Sequence, residues 1–360
     1  MNPHINDHGR GTVQRPANRF EKLAVEIDAG AMEEIAATDP DFVAERPVTK
    51  YLRDDSQSII CKNASPDLGF DASLNPYRGC EHGCAYCYAR PYHEYLGFDS
   101  GLDFETRIMV KPNAPDLLEA ELSAPRWRPQ NLACSGVTDC YQPVERSQKI
   151  TRACLEVLTR FRNPVGIVTK NALVTRDIDH LQHLARFQAS AVMLSITSLD
   201  SELARKLEPR ASSPAARLRA IRELSDAGIP AGVSMAPIIP GLNEHEIPAI
   251  LQAAADHGAT FAAYTVVRLP YAVKDVFSAW LQRHSPDRRD LVLGRIRELR
   301  NSELNDADFG TRMRGTGPLA DQIRTMFQVA LRRTGLNRRG HGLSTEHFCR
   351  VQRGQMELFD

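Results

Sequence analysis

Cys80, Cys84 and Cys87, spaced C-x3-C-x2-C in residues 75–90 (NPYRGCEHGCAYCYAR), are the residues whose type and spacing point most clearly to chemistry. Thiolate is the soft ligand that iron-sulfur clusters take, and three thiolates on one short loop can converge on a single cluster. Three is one short of a closed set, and a metal centre that keeps an open position can bind a substrate there. Gly79 and Gly83 let the backbone wrap closely around an inorganic core, and Tyr86 offers an aromatic face beside it. The competing reading is a zinc knuckle completed by His82 or His93, although structural zinc more often shows paired C-x2-C or C/H spacings.

The elements that must position this loop read as an α/β fold. Apolar runs at 131–137, 165–169, 191–197, 231–236 and 261–267 predict strands. Amphipathic stretches at 147–161, 177–186, 214–227, 244–257 and 273–282 predict the helices between them, with Gly228 as a C-cap signal and Asn243 as an N-cap signal. With a short strand at 58–60 ahead of the loop, the count is six βα units, two short of a complete barrel. An open doubly wound sheet is the alternative. In either arrangement ligands gather at the C-terminal ends of the strands. That singles out Thr138 and Asp139, then Lys170, then Ser195 and Thr197, and then the segment from Ala236 to Glu244. Lys170 with the two hydroxyls could bind a carboxylate and ribose oxygens, and Arg210 is suited to a bidentate carboxylate contact, with Glu208 as its partner. Arg217, Arg219 and Arg222 on the next helix read as a solvated face.

The pattern C-x3-C-x-aromatic-C resembles the signature of the radical S-adenosylmethionine superfamily, and the fold expected is its partial (βα)6 barrel, with an N-terminal arm and a helical, basic C-terminal extension. The resemblance implies a [4Fe-4S] cluster on Cys80, Cys84 and Cys87 that binds S-adenosylmethionine, passes it one electron and releases a 5′-deoxyadenosyl radical able to abstract hydrogen. Residues 168–240 are similar to the spore photoproduct lyase branch, which gives Lys170 and Ser195 contacts to S-adenosylmethionine. The overall arrangement resembles an uncharacterised bacterial group akin to that lyase. By residue type and position Tyr86, Thr197 and Arg210 are also expected at the cofactor site, and Thr138 and Asp139 stand in for the Gly-Gly-Glu that members of the superfamily often have there to hold the methionine amino group. Residues 236–244 resemble an adenine-flanking G-x-I-x-G-x-x-E element without its first Gly, so the backbone of Ala236 and Ile238 is expected to read the adenine edge. The lyase's hydrogen-donor cysteine has two candidate counterparts, Cys134 and Cys140. An electron donor such as flavodoxin or ferredoxin is implied.

Composition is that of an ordinary globular chain: 360 residues, 42% apolar, with Lys plus Arg and Asp plus Glu both at 45, so net charge names no partner. No apolar run of about 18 residues and no signal-peptide core is present, and eight cysteines without a disulfide-like framework fit a reducing compartment, so the expected location is cytoplasmic and away from membranes. The domain reading is an arm over 1–50 that packs through Phe20, Leu23 and Val25, a core over 51–270, a helical basic region over 271–350, and a tail over 351–360. From Arg312 to Arg353 nine arginines face two acidic residues, a balance able to follow a phosphate backbone. Gln355, Met356, Glu357, Leu358 and Phe359 resemble the bacterial sliding-clamp-binding motif Q-L-x-L-F, with Met in place of Leu. Together these favour a radical enzyme acting on nucleic acid, in repair or base modification. The alternatives are a radical enzyme acting on a protein or small metabolite, and a non-catalytic iron-sulfur or zinc DNA-binding module.

Overall fold

The computed structural model describes residues 9–21, 47–134, 136–336 and 342–351. Its strands are β1 (Lys50–Arg53), β2 (Ile60–Lys62), β3 (Ala72–Leu74), β4 (Tyr77–Arg78), β5 (Arg107–Val110), β6 (Leu132–Cys134), β7 (Val165–Thr169), β8 (Ser190–Ser195), β9 (Ala231–Ile238) and β10 (Phe261–Val266). Seven of them form one sheet in the order β10-β9-β8-β7-β6-β3-β2. The run from β3 to β10 is parallel throughout, and β2 closes the outer edge antiparallel to β3. Consecutive parallel strands are neighbours and the order never reverses, so the topological switch point of a doubly wound sheet is missing and the partial barrel is the arrangement found. A separate sheet, β1-β5-β4, supports the cysteine loop.

The six parallel strands were expected, but the first is not where the sequence pattern put it. Residues 58–60 lead into the antiparallel edge strand, and the barrel begins at Ala72–Leu74 instead. That strand is three residues long and buried throughout, so it shows no alternation for a pattern to detect. The helices pack outside the sheet through faces spaced three and four apart. Ile150–Phe161 buries Ile150, Cys154, Leu155, Leu158 and Phe161, and Pro214–Asp226 buries Arg217, Ala220, Ile221 and Leu224. The latter starts on Ser213, whose side chain accepts from the Ala216 N–H, with Pro214 in the first turn. Gly228 follows that helix at φ 74°, the left-handed position the sequence suggested. Asn243 does not cap its helix. Its Oδ1 accepts from Ile239 N (2.6 Å) and its Nδ2 donates to Thr197 O (2.7 Å), tying the ends of β8 and β9 together.

The two edges of the barrel are joined by loops. Arg312, beyond β10, pairs with Asp67 at 2.6 Å in the loop before β3, and Gly310 N donates to the same carboxylate at 2.7 Å. Residues 342–351 run across the N-terminal ends of the strands. Ser344 N donates to Gln188 O (2.9 Å) ahead of β8, and Cys349 N to Phe161 O (3.0 Å) ahead of β7. Among the described residues no helix is long and apolar enough to cross a membrane.

Candidate active site

The cysteine loop sits at the C-terminal end of β3, held from several sides. Cys80 N donates to Phe104 O (2.9 Å) and Ala85 N to Leu207 O (3.1 Å). Arg90, fully buried, donates from Nε and Nη2 to Cys84 O (3.0 and 2.9 Å) and pairs with the buried Glu105 at 2.5 Å. Gly79 and Gly83 have φ of 76° and 66°. A Cβ at Gly79 would stand 3.0 Å from the His93 ring and from Phe104 O. Here glycine meets both requirements, a left-handed backbone and close packing around the loop.

The three thiols are buried or nearly so. Burial pushes all three thiol pKa values up, with Asp139 and the neighbouring cysteines adding to the rise at Cys80. They therefore rest protonated, and a metal centre would have to displace those protons. Among the described residues no three His, Cys, Asp or Glu side chains converge on one metal ion. A tetrahedral zinc needs its thiolates about 3.8 Å apart for Zn–S bonds near 2.3 Å, whereas a cubane takes one thiolate on each of three separate irons. His82 is engaged as well, with Nδ1 3.3 Å from Asp139 and Nε2 3.3 Å from Asn171. His93 packs between Phe98 and Phe104, and burial lowers its pKa to about 4. All-thiolate donors in a glycine-lined cradle thus fit a cluster better than a zinc knuckle.

Beside the loop five of the residues singled out by sequence converge on one network, with Glu208 at its centre. The buried Glu208 carboxylate accepts from the Tyr86 hydroxyl, from Thr197 Oγ1 (2.5 Å) and from Arg217, and lies 3.3 Å from Lys170 Nζ. Lys170 Nζ also donates to Ser195 Oγ and Ala236 O, both at 2.9 Å. Burial alone would raise the Glu208 pKa. Arg217 and Lys170, with the two hydroxyl donors, outweigh it and hold the carboxylate well below its usual range. The Tyr86 hydroxyl, desolvated and facing Glu208, is pushed far up and stays a donor.

Two expectations are corrected here. Arg217 is not on a solvated face: it is 1% exposed and is the partner of Glu208. Arg210, expected to pair with Glu208, instead reaches Glu81 at 3.1 Å. The missed signal lay in the helix period, because Arg217 shares the face of Ala220, Ile221 and Leu224.

The other candidates are arranged differently. Both Asp139 oxygens are committed, Oδ1 to Thr169 Oγ1 (2.7 Å) and Tyr141 N (2.9 Å), Oδ2 to Lys170 N (2.7 Å). Asp139 therefore places Lys170 and His82, and no oxygen of it is left over for the methionine amino group it was expected to hold. Thr138 Oγ1 donates to Tyr77 O at 3.1 Å. Ile238 is fully buried and its carbonyl accepts from Val267 N at 2.9 Å, so that carbonyl is already paired, while the Ala236 carbonyl points into the network. Cys134 and Cys140 are both buried, at the end of β6 and in the turn after it.

Four arginines of the basic region are engaged within the protein. Arg312 is paired with Asp67, Arg314 donates to Tyr264 O, Arg324 pairs with Asp321, and Arg350 donates to Trp127 O. Leu23, Val25, Ser135, His341 and the peptide 355–359 lie outside the described residues. Phe20 meets Tyr95 at 4.8 Å between centroids and stays exposed.

An α/β partial barrel carrying a three-cysteine loop at its first strand end defines a class, and comparison with known proteins agrees. Residues 74–254 match the family model of the Radical SAM superfamily, and the chain belongs to that family of enzymes. An uncharacterised protein of Mycobacterium tuberculosis is 34% identical over 249 residues, covering 67% of this chain and 72% of its own. One from Methanocaldococcus jannaschii is 31% identical over 173 residues, covering 48% and 62%. Among solved structures, spore photoproduct lyase in a mutant complexed with dinucleoside spore photoproduct superposes with a TM-score of 0.56 at 15% identity over 85% of this chain and 91% of that one. A further mutant of the lyase gives 0.55 at 17% identity over 79% of each chain. These two show that the fold is shared.

Proposed function

We propose that this chain is a radical S-adenosylmethionine enzyme that holds a [4Fe-4S] cluster on Cys80, Cys84 and Cys87 and acts on nucleic acid. The observation that carries the first part is the placement of the three-thiol loop directly against the network of Tyr86, Lys170, Ser195, Thr197 and Glu208. When bound, the cluster would supply one electron to S-adenosylmethionine, whose cleavage to methionine and a 5′-deoxyadenosyl radical allows hydrogen abstraction. Glu208 anchors the Tyr86 hydroxyl and pairs with Lys170, fixing both side chains in place. Ser195, Thr197 and the Ala236 carbonyl are polar groups at the same strand ends, suited to ribose and amino groups. Arg210, paired with Glu81, is the candidate for a carboxylate contact, and electrons would come from a flavodoxin or ferredoxin.

The nucleic-acid part rests on the rim. Tyr88, Tyr92 and Tyr95 are 45%, 55% and 68% exposed just after the cysteine loop. Arg268, beyond β10, lies 5.5 Å above the Tyr88 ring. Its buried Nε has no hydrogen-bond partner among the described residues, and burial together with Arg312 lowers its pKa. A cation held beside another cation and an aromatic face gains from a phosphate and a stacked base. The solved lyase bound to a dinucleoside photoproduct is consistent with that reading. Transfer of deuterium from labelled single-stranded oligonucleotides into 5′-deoxyadenosine is the test. Arg268→Gln should weaken oligonucleotide binding roughly tenfold and flatten its salt dependence. Deuterium transfer from a peptide or metabolite, with no oligonucleotide binding, would favour the alternative radical enzyme. Delivery by the sliding clamp through Gln355, Met356, Leu358 and Phe359 belongs to the same proposal. A peptide of residues 353–360 should bind the clamp, and its Leu358→Ala, Phe359→Ala form should not.

A further inference from the structure

We propose that residues 10–19 form a positioning strap for the cluster loop, acting through Glu105 and Arg90; the proposal rests on the radical reading above. This segment has no regular structure, yet Gly11 and Thr12 are buried. Gly11 N donates to Glu105 Oε2 at 2.9 Å, and Arg10 donates to Glu105 O (3.0 Å), Pro47 O (2.9 Å) and Thr49 Oγ1 (2.9 Å). Further along, Gln14 O accepts from Leu102 N (2.9 Å), and Asn18 Nδ2 donates to Glu94 O (2.9 Å) and Phe98 O (3.2 Å). Arg19 pairs with the Glu94 carboxylate and lies 3.7 Å above the Tyr271 ring, so the strap spans from the cysteine loop to the segment after β10.

The chain of contacts ends on a cluster ligand. Glu105 gives one oxygen to Gly11 and the other to Arg90, and Arg90 gives two hydrogen bonds to the carbonyl of Cys84. The fit is close enough to specify residue type. A Cβ on Gly11 would stand 1.5 Å from Gly83 O, and one on Gly83 would stand 2.6 Å from Glu105 Oε2. Two glycines from distant parts of the chain therefore interlock, and the strap holds the backbone between Cys80 and Cys84 in its bend. Groups that orient metal ligands from outside typically change metal affinity 10- to 100-fold when removed.

Gly11→Val pushes the strap away from Gly83 by bulk, and Arg10→Gln removes its charged anchor without adding any. Ala17→Ser, at an exposed strap position, is the control. Each full-length variant is reconstituted anaerobically, and the readouts are iron and sulfide content, the rate of cluster bleaching by a chelator, and the electron paramagnetic resonance spectrum with and without S-adenosylmethionine. Both strap variants should bleach about tenfold faster than the parent and show a broadened spectrum, while the melting of the apoprotein and the control stay parental. Parental iron content, bleaching and spectrum in both variants would overturn the proposal. So would cluster loss confined to Gly11→Val and accompanied by loss of its apoprotein melting transition. A parent that takes up no cluster would instead remove the radical reading itself.

Discussion

The two ends of the barrel are built from different materials. At the C-terminal ends of the strands, buried charges meet in compensated groups: the buried Glu208 with the buried Arg217 and the half-buried Lys170, and Arg90 with Glu105. At the N-terminal ends, residues 342–351 pack through Phe348 against Phe161 at 6.2 Å between centroids, and through backbone bonds to Gln188 and Phe161. Burying a carboxylate and a guanidinium costs several kcal/mol that a hydrophobic pair would avoid. Their concentration around the cysteine loop therefore marks the end where a polar ligand has to be met. The arginine-rich extension teaches the converse, because a count of charges is not a surface: several of its arginines are neutralised or bonded to backbone.

This contrast is sharpest in single substitutions. Cys84→Ala should abolish cluster retention entirely, as should Cys80→Ala and Cys87→Ala, because each removes one of three anchors. Cys61→Ala and Cys154→Ala should retain it, as iron and sulfide content will show. Arg217→Ala leaves the buried Glu208 with Lys170 as the one cation of its network and should cost about 3–5 kcal/mol in denaturant unfolding. In the parent the Glu208 pKa is depressed, so its stabilising contribution is complete above the unfolded value of about 4.3 and fades only as pH falls through the lower folded value. In Arg217→Ala the folded value rises, and the loss on acidification should begin at higher pH, visible in a series of melts. Lys170→Met keeps the Arg217 pair and should unfold nearly as the parent does. It should nonetheless bind S-adenosylmethionine tenfold or more weakly, as read by calorimetry. Phe348→Ala, at the other end, should cost about 1 kcal/mol and leave cofactor binding unchanged. A cofactor defect in that variant would break the division between the two ends.

Much of this arrangement could be read from residue types, and the reasons for the failures are physical. Strand β7 is legible to the residue because four of its five positions, Val165, Ile167, Val168 and Thr169, are β-branched and the run sits between turn signals. The cysteine loop was legible because its spacing is local. Strand β3 was not, being too short and wholly buried, and neither was the small sheet, whose β4 has two residues. Lys170 and Ser195 were found from their strand ends. Arg217 reads as solvent-facing when charge is weighed before helical period, and Arg90 and Glu105 carry no local signal because they pair with each other across 15 residues and otherwise bind backbone atoms, Cys84 O and Gly11 N. The packing of Gly11 on Gly83 joins residues far apart in the chain, which no local pattern encodes.

The three-cysteine loop and the Glu208 network together are proposed to make a site that cleaves S-adenosylmethionine. Its most direct test is to reconstitute the chain anaerobically with iron and sulfide, reduce it, add S-adenosylmethionine and quantify 5′-deoxyadenosine. Steady formation of 5′-deoxyadenosine by the parent protein, and none by Cys84→Ala, is expected. Zinc bound without sulfide, or a fully loaded cluster that yields no 5′-deoxyadenosine, would contradict it.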